Sequence, residues 1–238
     1  MNDRFKYYLY PDKAVVTGLE EKSDAEIIIP KETAGRPITE IDDHAFHGCT
    51  NIRKITIPET VTSIGRYAFS NCTNLEEIIL PKNLEYLGTG AFLCCESLEK
   101  ITMPKKIRIV KPYTFSGCNN LTDISIDYNV RQIDPDAFGD CPNLVNIKVA
   151  KENKIYADID GILFDKDITQ LILYPAGRKL INYTLPDTVK HITGYAMSNN
   201  PVNIIINGSP DKKRKVSIDK NHTLESIIIN TPTELYFY

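Results

Sequence analysis

The chain has 238 residues, 42% hydrophobic and 25% charged, and its 28 Lys and Arg against 31 Asp and Glu leave a net charge of −3. Such a composition excludes a disordered or collagen-like chain. No apolar run approaches the ~18 residues of a membrane span, so a soluble protein without membrane insertion is expected.

At the N-terminus, Asp3, Arg4, Lys6 and Asp12 surround isolated aromatics, with no continuous apolar core for a signal peptide, so a cytoplasmic location is the expectation. Residues from Phe5 to about Gly18 read as a capping hairpin, and residues 1–24 as an N-terminal cap. Ile27, Ile29 and Pro30 then match Ile55, Ile57 and Pro58, with extra residues through Gly35, Arg36 and Pro37. A repeating array is therefore expected to begin before residue 30.

The array itself is explicit over residues 25–150. Ala45-Phe46-Cys49, Ala68-Phe69-Cys72, Ala91-Phe92-Cys95, Thr114-Phe115-Cys118 and Ala137-Phe138-Cys141 lie 23 residues apart. Each Cys is followed three residues later by Ile52, Leu75, Leu98, Leu121 or Leu144, and then by a strand-like pair from Ile55/Ile57 to Ile147/Val149. Alternation there marks a half-buried strand, and Pro58, Pro81 and Pro104 remove the ladder donor that would prolong it. A coil of 23 residues has no room for a full helix, and its apolar residues can be buried only against the coils above and below. The expected fold is a mostly β or α/β solenoid with one parallel sheet and short turns or 3-10 segments on the return legs. Phe46, Phe69, Phe92, Phe115 and Phe138 should stack as a spine.

Residues 151–182 interrupt the period: from Ile147 to Tyr183 is 36 residues rather than 23. Ile162 to Phe164, the polar turn Asp165-Lys166-Asp167, and Thr169 to Tyr174 read as a hairpin that lengthens one coil. Residues 183–238 read as worn copies and a cap. Val189, Ile192, Ala196 and Met197 repeat the earlier phrase, Asn200 replaces Cys, and counting back from Ile227 puts Ile218 at the Phe position and Asn221 at the Cys position.

This pattern resembles the BspA-like leucine-rich repeat family over roughly residues 25 to 230, on its Leu-x-x-Ile-x-Ile-Pro and Ile-x-x-x-Ala-Phe-x-x-Cys phrases. The resemblance implies a right-handed solenoid with a concave parallel sheet. It also implies a bacterial protein, often exported or on the cell surface, acting in adhesion or protein contact without catalytic residues.

Few residues invite chemistry. Five of the six cysteines are one repeat position, with Cys94 as the extra, so structural thiols in a ladder are expected rather than disulfides or metal ligands. Asn at the same register suggests a small polar group satisfying backbone in a tight turn. His44, His47 and Cys49 fall at variable surface positions or on the ladder, so no metal and no cofactor are expected. Lys212-Lys213-Arg214-Lys215 reads as a solvated loop. The expected function is a non-enzymatic interaction module that binds a protein or glycan through two outward rows. One row is Lys54, Glu77, Lys100, Asp123 and Asn146, and the other is Thr56, Ile79, Thr102, Ser125 and Lys148. The first row alternates in sign, which argues against nucleic acid as a partner. The alternative is a hydrolase-like enzyme using Asp158, Asp160, Asp165 or Asp167 as acid and base, although these flank a turn and should face solvent.

Overall fold

The structure, a computed structural model, describes residues 4–21, 24–179, 182–194, 196, 203–207, 214–219, 226–229 and 233–237. Its chain is a mostly β solenoid. One leg of successive coils supplies the strands Glu26–Ile28, Lys54–Thr56, Glu77–Ile79, Lys100–Thr102, Asp123–Ile126 and Asn146–Val149, and beyond the insertion Asn182–Thr184, Asn203–Ile206 and Ser226–Ile229. These form a first sheet, paired in parallel in the register that the repeat dictates, Ile55 opposite Ile78 and Ile124 opposite Ile147. Inward Ile55, Ile78, Ile101, Ile124 and Ile147 are all buried.

Beyond the turns and the 3-10 segment Pro135–Phe138, the return legs carry a second ladder that the repeat phrase had not announced. Short strands pair in parallel, Ile41 with Ile64, Ile64 with Leu87, and Val110 with Ile133. These are the apolar residues that precede each Ala-Phe, all buried. An antiparallel hairpin of Phe5–Leu9 and Ala14–Leu19 begins this return sheet, with Ala14–Leu19 in parallel against Arg36–Ile41.

Between the sheets run the Ala-Phe turns. Two columns in each turn have a left-handed backbone: His44, Tyr67, Gly90 and Tyr113 at φ 60°, 53°, 61° and 58°, and Gly48, Asn71, Cys94, Gly117 and Asp140 at φ 67°, 58°, 56°, 72° and 52°. The first column ends at the fifth turn, where Asp136 lies within the 3-10 segment Pro135–Phe138 and Asp134 caps that segment through the Asp136 amide. Cys94 thus occupies a left-handed position that Gly, Asn or Asp fills in other coils, and it is half-buried while the five ladder thiols are buried. The phenylalanines stack face to face, with centroids 5.2, 5.5, 5.8 and 5.7 Å apart and planes within 10° of parallel. The carbonyls of Phe46, Phe69, Phe92 and Phe115 each accept two bonds. Phe69 O, for example, takes the amide of Cys72 in its own coil at 3.2 Å and the thiol of Cys95 in the next at 3.1 Å. The same thiol bond joins Cys72 to Phe46, Cys118 to Phe92 and Cys141 to Phe115. A small donor at this position is what the second lone pair requires.

The insertion does more than lengthen a coil. The 23-residue step continues into it, because Asn153 follows Val130 and Tyr156 follows Ile133. Fully buried Asn153 donates to the carbonyls of Asp127 and Val130 and accepts from the amides of Ile155 and Tyr156. The Tyr156 hydroxyl accepts the Ile133 amide at 2.9 Å, which extends the return ladder by one side chain. Tyr156–Ile159, Ile162–Asp165 and Gln170–Leu173 then form an antiparallel meander, and Leu171 pairs in parallel with Ile192. Leu163 and Leu173 belong to the apolar core of the preceding coils, whereas Ile162, Phe164 and Leu171 belong to that of the following ones. The hairpin is a wall across the solenoid, buried on both faces.

Ile218 requires a correction. It pairs with Ile192 in the return sheet and so stands in the Ile64 column, not at the Phe position. Fourteen residues separate Ile204 from Ile218 where nine separate Ile55 from Ile64, so the last long coil has a longer crossing and a count of 23 misplaces its return leg. Asn221, placed by that count, and Met197 and Asn200, placed by the repeated phrase, lie outside the described residues, as do Lys212 and Lys213; Arg214 and Lys215 stand in the strand Arg214–Ile218, paired with Thr233 and Glu234, rather than in a solvated loop.

Both sheets are interrupted at the same place. Glu77–Ile79 ends one three-stranded block and Lys100–Thr102 begins the next, while Tyr86–Leu87 and Ile109–Val110 belong to separate return sheets. Across this seam Glu76 meets Glu99 and Lys82 meets Lys105 at the 23-residue step, like charges where the previous coil offers Arg53 to Glu76 at 2.7 Å. Turn bonds still cross it, Gly90 to Pro112 O, Phe92 to Thr114 O and Cys94 to Ser116 O at 3.0, 2.9 and 2.8 Å. Its Phe92–Phe115 stack is the widest of the spine, at 5.8 Å.

Candidate binding face

The outward residues of the first sheet alternate with the buried isoleucines, so the two expected rows lie on one face. Pairing places Lys54 beside Glu77, and Lys100, Asp123 and Asn146 in sequence, in one row; Thr56 beside Ile79, and Thr102, Ser125 and Lys148 in sequence, form the other. The seam divides them: Lys54, Thr56, Glu77 and Ile79 belong to one block and the remaining six to the next.

Most of the charged row is engaged with itself. Lys54 Nζ lies 2.7 Å from Glu77 Oε2, and this hydrogen bond raises the Lys54 pKa above its ordinary value. Asn146 Nδ2 donates to Asp123 Oδ1 at 2.9 Å and Thr122 Oγ1 to Asp123 Oδ2 at 2.8 Å, which hold the Asp123 carboxyl below the usual carboxylate range. Asn146 is also covered by the insertion: a Cβ on Gly161 would lie 2.6 Å from Asn146 Oδ1, so only glycine fits there, at φ 80°. Exposed ion pairs of this sort contribute little, and they leave few charges for a ligand.

At the seam the face changes character. A groove of about 690 Å³ opens there, lined by Ile78, Ile79, Leu80, Lys82, Lys100, Ile101, Thr102, Met103, Pro104, Lys105 and Asp127. Ile79 is 49% exposed in it. Of the ten expected site residues, only Ile79, Lys100 and Thr102 meet in this groove. Lys82, Lys105 and Asp127, which rim it, were missed because they follow the strand-ending prolines or lie at a strand end. Their signal was the Lys82/Lys105 repetition at the 23-residue step. Ile28, 75% exposed and paired with Thr56, extends the second row by one apolar residue.

The acidic turn residues of the insertion are largely structural. Asp165 accepts from the Thr169 amide and hydroxyl and the Gln170 amide at 2.6, 2.5 and 2.7 Å. Asp158 accepts the Val149 amide at 2.8 Å, and Asp160 and Asp167 are exposed. His44 stacks on Tyr67 at 5.2 Å, and His47 Nδ1 lies 2.6 Å from Ser70 Oγ. These side chains build the coils' contacts.

A profile of the BspA type leucine rich repeat region matches residues 39–164 in six copies. Among solved structures, the pneumococcal vaccine antigen PcpA aligns over 96% of this chain and 69% of its own, at 24% identity and a TM-score of 0.74. A leucine rich repeat protein of T. pallidum aligns over 85% and 83%, at 24% and 0.61. A leucine rich cell surface protein of Faecalibacterium prausnitzii aligns over 98% and 76%, at 22% and 0.55. These likenesses establish the solenoid fold. No curated protein sequence matches the chain significantly.

Proposed function

Because the chain belongs to the BspA-type leucine-rich repeat family, a family of repeat-protein modules, we propose that it is a non-catalytic interaction module that engages another protein through the outward face of the first sheet. The observation that carries this reading is the seam groove. Elsewhere on the face the charges cancel in pairs, whereas here Ile79, Leu80 and Met103 make an apolar floor with Lys82, Lys100 and Lys105 against the single carboxylate of Asp127. A groove of this size suits one apolar side chain with carboxylates beside it, presented by a protein surface. The turn-building roles of Asp158 and Asp165 weigh against the hydrolase alternative.

The test is a photo-crosslinking residue at position 79, with the same residue at position 6 on the N-terminal hairpin as control. A partner captured from position 79 alone should bind the purified protein, and Ile79→Asp or Lys100→Glu should weaken that binding at least about tenfold. Equal capture at both positions, or binding indifferent to both substitutions, would defeat the proposal.

A further inference from the structure

The same seam opens a second groove on the return side of the solenoid, about 640 Å³ in volume, between Tyr86–Leu87 and Ile109–Val110. Its chemistry differs from that of the first sheet. Residues 100–122 contain Lys100, Lys105, Lys106, Arg108 and Lys111 and no acid, for a local charge of +5. In residues 77–99, Lys82 against four glutamates leaves −3; in residues 123–145, Arg131 against five aspartates leaves −4. The cancellation seen along the strand row therefore fails on this coil's return leg. Lys106, Arg108 and Lys111 all line the groove, and Glu85 is its one carboxylate.

Glu85 is already taken, by Lys106 Nζ at 2.8 Å. The exposed Arg108 guanidinium makes no hydrogen bond or salt bridge with any described residue, although it lies within electrostatic range of Glu85. The Lys111 ammonium sits 3.9 Å from the Tyr86 ring centroid, and Tyr86 is 38% exposed. Hydrogen bonding from Lys111, with Arg66 as a second donor, draws the Tyr86 phenol below its ordinary value. Asn129 donates its side-chain amide to the Lys105 carbonyl and retains its own carbonyl oxygen as an acceptor. Ile109, 43% exposed, adds an apolar wall.

These groups favour an anion, and the return row limits its length. At the 23-residue step this row runs Glu85, Arg108, Arg131 and Lys154, so a polyanion following the axis meets a carboxylate on one side of Arg108 and two further cations on the other. A nucleic acid, which gains affinity by neutralising ~6–10 phosphates, finds too few cations in line. A compact anion attached to a ring with both polar and apolar faces matches the set: Arg108 offers a planar fork of donors, Tyr86 and Ile109 offer apolar contact, and Asn129 accepts from a hydroxyl. We propose that this return-side groove binds an acidic saccharide, a sugar carrying one carboxylate or one sulfate, with Arg108 as the principal contact to the anion.

The experiment is an NMR titration of the full chain with 3′-sialyllactose, 6-sulfo-N-acetyllactosamine, lactose and sodium sulfate, each to about 10 mM. Shift changes at Tyr86, Ile109 and Asn129 are expected with one or both acidic saccharides, at least about tenfold tighter than with lactose or sulfate ion. Whether the carboxylated or the sulfated sugar binds better identifies the anion. Arg108→Ala should weaken binding about tenfold or more and Arg108→Lys less, with Lys6→Ala unchanged. Thermal unfolding checks that the exposed substitutions leave the fold intact. The proposal is overturned if neither acidic saccharide shifts these residues, if lactose or sulfate does so equally well, or if Arg108→Ala leaves affinity unchanged. It is also overturned if a 20-mer oligonucleotide or an aspartate-rich peptide competes for Arg108 more tightly than either sugar. A partner protein captured at Ile79 bears on the other face, so the two readings fail separately.

Discussion

Replacing Phe92 with Ala tests the spine at its weakest joint. Phe92 is fully buried, with Phe69 stacked on one face at 5.5 Å and Phe115 on the other at 5.8 Å. A buried Phe→Ala change costs about 3–5 kcal/mol, and two aromatic stacks of about 0.5–1.5 each place Phe92 in the upper part of that range, so a loss of about 4–5 kcal/mol is expected. Phe138 is stacked by Phe115 alone, and Phe138→Ala should lose about 1 kcal/mol less. The position adds a second expectation. Neither sheet pairs across the seam, so the blocks on either side are joined there by side-chain contacts and turn bonds, among them the Cys118 thiol on Phe92 O at 3.3 Å, the Phe92–Phe115 stack and the exposed Glu85–Lys106 and Tyr86–Lys111 contacts. In a quasi-one-dimensional array, weakening one interface uncouples what lies on either side of it. Urea unfolding of Phe92→Ala should therefore show a lower slope or two transitions, while Phe138→Ala keeps the wild-type slope. A loss below about 1 kcal/mol, or a larger loss at Phe138, would refute the spine, and an unchanged slope would refute the seam as the joint.

Four further outcomes are expected. Burial raises Cys141 from its ordinary 9.0 to about 12 and raises Cys95 and Cys118 well above 9.0, so a native thiol titration near pH 8 should find Cys94 first and all six thiols only on denaturation. Recovery of two or four thiols without reductant would establish disulfides instead. Because folding favours the neutral thiols, their contribution is complete below about pH 9 and lost as the pH climbs toward 12, at up to about 1.4 kcal/mol per pH unit for each. A stability difference between wild type and Cys141→Ala that stays constant across this window would contradict it. Asn153→Leu, which strands two carbonyls and two amides in a buried site, should cost about 3 kcal/mol or more in chemical denaturation; a cost below about 1 would show the network to be replaceable. Finally, duplex DNA or RNA should not bind at micromolar concentration in physiological salt, and binding abolished by Lys54→Glu with Lys100→Glu would overturn the charge argument.

Much of this architecture was legible because a 23-residue step admits few solutions. Phe46 to Phe138, the thiol ladder and the alternating strand rows follow from burying the same side chains against their own copies. The return ladder was less visible, since two-residue strands such as Ser63–Ile64 leave only one inward residue each and no alternation to detect. Ile218 was misplaced because a longer crossing keeps the first sheet in step, Ile204 opposite Ile227, while shifting the return leg. The seam groove was legible only in part. Ile79, Lys100 and Thr102 follow from strand parity, but the interruption lies between two coils, which no single coil reveals.

The wall at residues 162–173 has a consequence for how this chain can age. In an uninterrupted stack every coil leans on the next, so erosion of one phrase loosens its neighbours in turn. Here a strand pair with apolar residues on both faces serves as an end-cap placed in mid-chain, finishing one core and founding another. Damage beyond it stops at Phe164 and Leu171 before reaching the Phe spine. Coils past such a bulkhead are free to differ in length and wording, and it is there that the crossing to Ile218 is five residues longer than its counterpart to Ile64.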